Sequence, residues 1–148
     1  IWNQMPSFSQ RSLGRLESCH EVLQTLFLEV VAFYDCSVLE GYRSPGRQRE
    51  LVALGFSKRL DSLHTRKPAL AVDIVPYPFK GADWKNMKRF YHFAGFVSAT
   101  FEQMKRDGRV SAEWHLVSGL DWDGDTDLDD QSFMDGPHFE LRQAPLPR

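Results

Sequence analysis

With 148 residues, a formal charge of −2 and a pI near 6.2, the chain is long enough to bury a sizeable core as one domain over residues 1–148 and too short for a catalytic unit plus a full binding module. The balance of charge leaves no basic footprint, which excludes nucleic acid as the expected partner, and no apolar run is long enough to span a bilayer. The opening Ile1-Trp2-Asn3-Gln4-Met5-Pro6 has neither a basic n-region nor a long apolar stretch, so no signal peptide is expected; a start without Met is consistent with trimming.

Val22, Leu23, Leu26, Phe27, Val30, Val31 and Tyr34 recur at helical spacing and predict an amphipathic helix over about residues 18–34. A short strand is expected over 37–42, leading into Arg43, and residues 46–54 read as a helix closed by Gly55. The β-branched run Leu70-Ala71-Val72-Asp73-Ile74-Val75 predicts a buried strand ended by Pro76 and Pro78. Trp84, Met87, Phe90, Tyr91, Ala94, Val97, Phe101 and Met104 mark a long helix that ends before Asp107-Gly108, slightly weakened by Gly95. Residues 110–117 are expected as a strand, an acidic loop follows, and 138–141 closes the sheet. Residues 143–148 read as a loose tail. The predicted fold class is α+β, a small antiparallel sheet packed with helices, with its core over about residues 8–141. Two cysteines, Cys19 in the first helix and Cys36 at a strand start, read as free buried thiols of a cytoplasmically made protein.

Two distant segments carry the chemistry: Ser62-Leu63-His64 running to Ala71-Val72-Asp73, and Asp135-Gly136-Pro137-His138-Phe139-Glu140. A catalytic zinc ion takes three nitrogen or oxygen ligands and keeps a fourth position for water. His64, Asp73 and His138 meet that requirement, and Asp135 remains to handle the proton such a water must lose. On a strand, Val72 and Ile74 point to the core while Asp73 faces the other way; Phe139 and Leu141 likewise oppose His138 and Glu140. A carboxylate inside an apolar strand is costly to bury without a strong partner, and a divalent cation is one.

These residues resemble the zinc peptidases that comprise the D-alanyl-D-alanine carboxypeptidases and the phage L-alanyl-D-glutamate endopeptidases. The pattern in that group is Ser-x-His, then Ala-x-Asp, then Asp or Glu three residues before a His in a Pro-His-Phe setting. Gly41-Tyr42-Arg43-Ser44 followed by Gln48 is similar to a further element of the group. Phe8-Ser9-Gln10-Arg11-Ser12-Leu13, and Asp121-Trp122-Asp123-Gly124-Asp125 through Asp130-Gln131-Ser132-Phe133, resemble its phage-type branch. The likeness covers about residues 8–141. One departure is the nine-residue step from His64 to Asp73, longer than usual, with Arg66, Lys67 and Pro68 in its middle.

The resemblance implies a carboxypeptidase/hedgehog-like fold with a single zinc at the sheet face, and stem peptides of bacterial peptidoglycan as substrate. It implies L-Ala-D-Glu endopeptidase cleavage by a phage or prophage endolysin, with D-Ala-D-Ala carboxypeptidase activity as the runner-up. A lysis enzyme of that kind, expected as a monomer, is made in the host cytoplasm and reaches the wall through a membrane lesion. Asp135 is expected as the general base and Arg43 as an oxyanion and substrate contact; Gln48 and Ser62 join it as substrate contacts.

Blander readings stand beside these. Asp135 before Gly-Pro is also a turn former, Arg43 could serve only a core carboxylate, and His64 could be a surface loop residue. His20 and His92, placed in helices, are expected to be structural or exposed, whereas His115 is the alternative candidate, as a cleft residue or a ligand. In the acidic loop, Asp121, Asp123, Asp125 and Asp127 alternate as in the first half of a calcium loop. Thr126 at the sixth place and Ser132 at the twelfth rule out an EF-hand proper, which leaves a looser calcium site or a solvated turn. A zinc-stabilised binding module without catalysis is the reading from another class, and the presence of Asp135 argues against it.

Overall fold

The structure is a computed structural model and describes residues 5–143. It begins with helix α1 (Gln10–Glu17), which the apolar spacing does not announce: only Ser12 and Leu16 of it are buried, and the cue is Ser9, whose hydroxyl accepts from the Ser12 N–H at 3.1 Å. Helix α2 (Glu21–Phe33) starts three residues later than expected. Cys19 and His20 are held out of it by Ala69, whose carbonyl accepts from His20 N–H at 2.8 Å and whose N–H donates to the Ser18 carbonyl at 3.0 Å. His20 instead caps α2, its Nδ1 accepting from Val22 N–H.

Strand β1 (Cys36–Glu40) follows, then helix α3 (Pro45–Ala53), begun by a Ser44 cap with Pro45 in its first turn and stopped where Gly55 takes φ +80°. A short 3-10 turn (Leu63–Thr65) leads to β2 (Ala71–Pro76). A second such turn (Gly81–Lys85) precedes the long helix α4 (Met87–Arg106). Strand β3 (His115–Ser118) is half the expected length, because Trp114 N–H turns back onto the Ser111 carbonyl and takes residues 111–114 out of the ladder. Strand β4 (His138–Arg142) closes the sheet; residues 144–148 of the expected tail lie outside the described residues.

The sheet is antiparallel in the order β1-β2-β4-β3. One face carries Val72, Ile74, Phe139 and Leu141 into the core, where Phe139 meets Phe27 of α2 at 5.4 Å and Phe93 of α4 at 6.0 Å between ring centroids. Removing a fully buried phenylalanine such as Phe139 typically costs ~3–5 kcal/mol, so this face anchors the strands that carry the polar residues of the other. The outer edge of β1 is covered by α1: Ser12 accepts from Val38 N–H at 3.0 Å and Arg15 donates to the Val38 carbonyl at 3.0 Å. Both cysteines are free and buried.

Candidate metal centre

Strand pairing puts Asp73 of β2 directly opposite His138 of β4, both on the face turned away from the Phe139 core. His64 arrives from the 3-10 turn, whose cap Ser62 accepts from His64 N–H at 3.2 Å. The long step to Asp73 is closed at its base, where Leu70 N–H donates to the Leu63 carbonyl at 3.0 Å, and residues 66–68 within it are exposed.

Each imidazole is fixed by an acceptor that cannot donate. His64 Nδ1 lies 2.8 Å from the Gly41 carbonyl, so Nδ1 carries the proton and Nε2 turns its lone pair to Asp73 Oδ1 at 3.3 Å. His138 reverses the arrangement, with Nε2 2.8 Å from Glu140 Oε1 and Nδ1 3.4 Å from the same Asp73 oxygen. Gly41 cannot be replaced cheaply, since a Cβ there would run into the Arg15 carbonyl and the Ser18 hydroxyl.

Three acceptor atoms thus converge where each needs a cation. His64 Nε2 and Asp73 Oδ1 are buried without a hydrogen-bond partner among the described residues. The spacing also fits: two ligand atoms each about 2.1 Å from one tetrahedral ion lie ~3.4 Å apart. Electrostatics agree. Burial pushes the Asp73 carboxyl up, but the two imidazoles outweigh it and hold the group well below the usual carboxylate range. Burial lowers His138, and its contacts with Asp73 and Glu140 reverse the sign and push it up to about 9.

The other expected site residues divide. Asp135 stands 3.9 Å from His138 Nδ1 with its side chain 37% exposed to the cleft. Burial, then the Asp73 charge, raise its pKa, against the opposing pull of His138, His64 and Arg43. Its N–H donates to the Gly119 carbonyl at 2.9 Å, and its own carbonyl oxygen lies where a Cβ at position 119 would stand. Arg43 does reach the site, but as a partner of carboxylates: Nε and one Nη bind Glu40 at 3.0 and 2.9 Å, the other Nη binds Gln48 at 2.8 Å, and Asp73 Oδ2 is 3.4 Å away. Gln48, expected at the substrate, is fully buried and outside the cleft lining; its amide spans Arg43, Ser57 and the Arg59 carbonyl. Ser62 lines the cleft.

The sequence reading missed Glu40 and Gly41 as parts of the site, although Glu40 stands three residues before Arg43. It placed Glu140 on the correct face without assigning it a partner. It also missed the cleft wall, where Trp122 stacks on Phe133 with ring centroids 6.2 Å apart and sits 5.2 Å from His138. The cleft has a volume of about 1190 Å³ and runs between this wall and residues 56–63.

His115 opens β3 opposite Arg142 and belongs neither to the triad nor to the cleft lining, and His92 binds the Tyr34 hydroxyl at 2.7 Å. In the acidic loop Asp121, Asp123 and Asp125 bring their carboxylates together. Asp127 does not join them, its carboxylate accepting from Asp129 N–H at 3.0 Å. Asp121 Oδ2 accepts from Thr126 N–H at 3.0 Å, and burial together with the Asp123 and Asp125 charges raises the Asp121 carboxyl.

The family model described as phage L-alanyl-D-glutamate peptidase matches residues 5–142. Among solved structures, the Serratia marcescens L-Ala D-Glu endopeptidase ChiX superposes with a TM-score of 0.65 at 26% identity, over 92% of this chain and 90% of that one. No curated protein matches the sequence.

Proposed function

We propose, from the premise that the chain belongs to the phage L-alanyl-D-glutamate peptidase family, that it is a zinc-dependent L-alanyl-D-glutamate endopeptidase of bacterial peptidoglycan. The observation that carries the zinc is the convergence of His64 Nε2, Asp73 Oδ1 and His138 Nδ1, the first two of them buried with no hydrogen-bond partner among the described residues.

When bound, zinc supplies acidification of a water and polarisation of the scissile carbonyl. The chain's own residues do the rest. Asp135, exposed on the cleft beside His138, accepts a proton from the attacking water as its oxygen adds to the L-Ala carbonyl carbon. It returns that proton to the D-Glu nitrogen as the C–N bond breaks, leaving a carboxylate on L-Ala and an amine on D-Glu. Arg43 positions Asp73 rather than the oxyanion, because all three of its nitrogens are already engaged and only 9% of the residue is exposed. The Trp122–Phe133 wall and Ser62 are the surfaces offered to the stem peptide. A cation held by Asp121, Asp123 and Asp125 is a secondary element of this reading, placed to order the loop that leads into Asp135.

No helix among the described residues is long and apolar enough to cross a membrane, and the substrate lies in the cell wall. Digestion of defined muropeptides with mass analysis of the fragments tests the assignment. Release of whole stem peptides with a new amino group on D-Glu is expected, whereas release of single D-Ala alone would turn the reading to a carboxypeptidase.

A further inference from the structure

The sheet face beyond His138 carries a chain of charge that the proposed reaction does not use. Glu140 is 7% exposed, yet both of its oxygens are committed: Oε1 faces His138 Nε2 at 2.8 Å and Oε2 accepts from Arg142 Nε at 2.7 Å. Arg142 Nε can only donate, so the Glu140 carboxylate is the acceptor there, and its other oxygen is left to face the His138 ring. The three residues alternate along β4 at positions 138, 140 and 142, and strand periodicity keeps them on one face in line.

We propose that Glu140 and Arg142 are positioning residues for the metal centre: Arg142 pins Glu140, and Glu140 holds the His138 ring with its proton on Nε2 and its lone pair at Nδ1 aimed at the ion. This deepens the zinc reading and rests on it. A histidine ring turned over, or in the other tautomer, offers an N–H where a lone pair is needed, and a free ring in water is a mixture of both forms. Outer partners of ligating histidines are generally worth about 10–100-fold in metal affinity or activity. His64 needs no such carboxylate, because the Gly41 carbonyl fixes it already.

The test uses the full chain with Glu140→Gln, Arg142→Ala and the pair, measuring zinc affinity against a chromogenic chelator and the His138 tautomer by nitrogen-15 NMR. Glu140→Gln is expected to weaken zinc binding about 10-fold or more and to lose the single Nε2–H signature. Arg142→Ala is expected to weaken zinc binding in the same direction but less. In the double variant Arg142→Ala should add nothing to Glu140→Gln, since the arginine acts only through the glutamate. Unchanged zinc affinity and tautomer in Glu140→Gln overturn the proposal, and so does a fully additive double variant. A rise in KM for Arg142→Ala at wild-type zinc affinity would instead make Arg142 a substrate contact. Failure of the zinc reading shows separately, as a wild-type chain that binds no zinc at all.

Discussion

Asp135→Asn isolates proton handling from everything else at the site. The carboxylate makes no hydrogen bond among the described residues and stands 3.9 Å from His138 Nδ1. The backbone is held independently, by the Gly119 carbonyl at 2.9 Å and by His138 N–H at 3.1 Å. An isosteric amide therefore leaves zinc and fold intact, with a stability change within about 0.5 kcal/mol, or ~2 °C in Tm for a chain of this size. Turnover should fall ~10²–10⁴-fold, equivalent to about 2.7–5.4 kcal/mol of transition-state stabilisation. The pH dependence has a definite sign. Because the fold raises the Asp135 pKa, it favours the protonated form; that contribution is complete below the unfolded carboxylate value and is lost as pH rises through the folded one. In zinc-free protein the permanently neutral side chain of the Asp135→Asn variant should thus melt no lower than wild type at pH 7, with the difference closing toward about pH 4. Counting new D-Glu amino groups in digested peptidoglycan, beside zinc content and Tm, gives all three readouts. Wild-type turnover at full zinc occupancy would refute the assignment, and loss of zinc with turnover would make Asp135 a ligand.

His64→Ala, Asp73→Ala and His138→Ala should each abolish stoichiometric zinc by elemental analysis while His115→Ala retains it; full occupancy in His138→Ala would disprove the triad. Burial pushes Cys19 up to about 11 and Cys36 up to about 12, so neither thiol should react with a disulfide reagent at pH 8 until the chain is denatured, and fast labelling of the native protein would contradict the packing. If a cation orders the acidic loop, calcium should raise Tm, by mass action as much as ~2.7 kcal/mol of stability at a hundredfold excess over Kd, and Asp123→Asn with Asp125→Asn should remove the effect. Identical melting with calcium and with a calcium-selective chelator would make the loop a solvated turn.

What the sequence determined by itself was whatever depends on period and residue type. Alternation along residues 71–75 and 138–141 sorts Val72, Ile74, Phe139 and Leu141 from Asp73, His138 and Glu140, and that sorting holds because a strand has no other way to arrange its side chains. Asp73 stood out for the same reason: an acid on an apolar strand demands a partner. Helix α1 was not, since two leucines over eight residues make no pattern until β1 supplies a surface to cover. Likewise the roles of Arg43 and Gln48 depend on Glu40, Asp73, Ser57 and Arg59, brought together only by the turn after β1 and the pairing of β1 with β2. The tautomer of His64 belongs to tertiary structure alone, because it is set by the Gly41 carbonyl, 23 residues away in the chain; for His138 alternation already puts Glu140 on the same face, and packing supplies the 2.8 Å contact. Residue type decides which atoms can bind a metal, and packing decides which way they face.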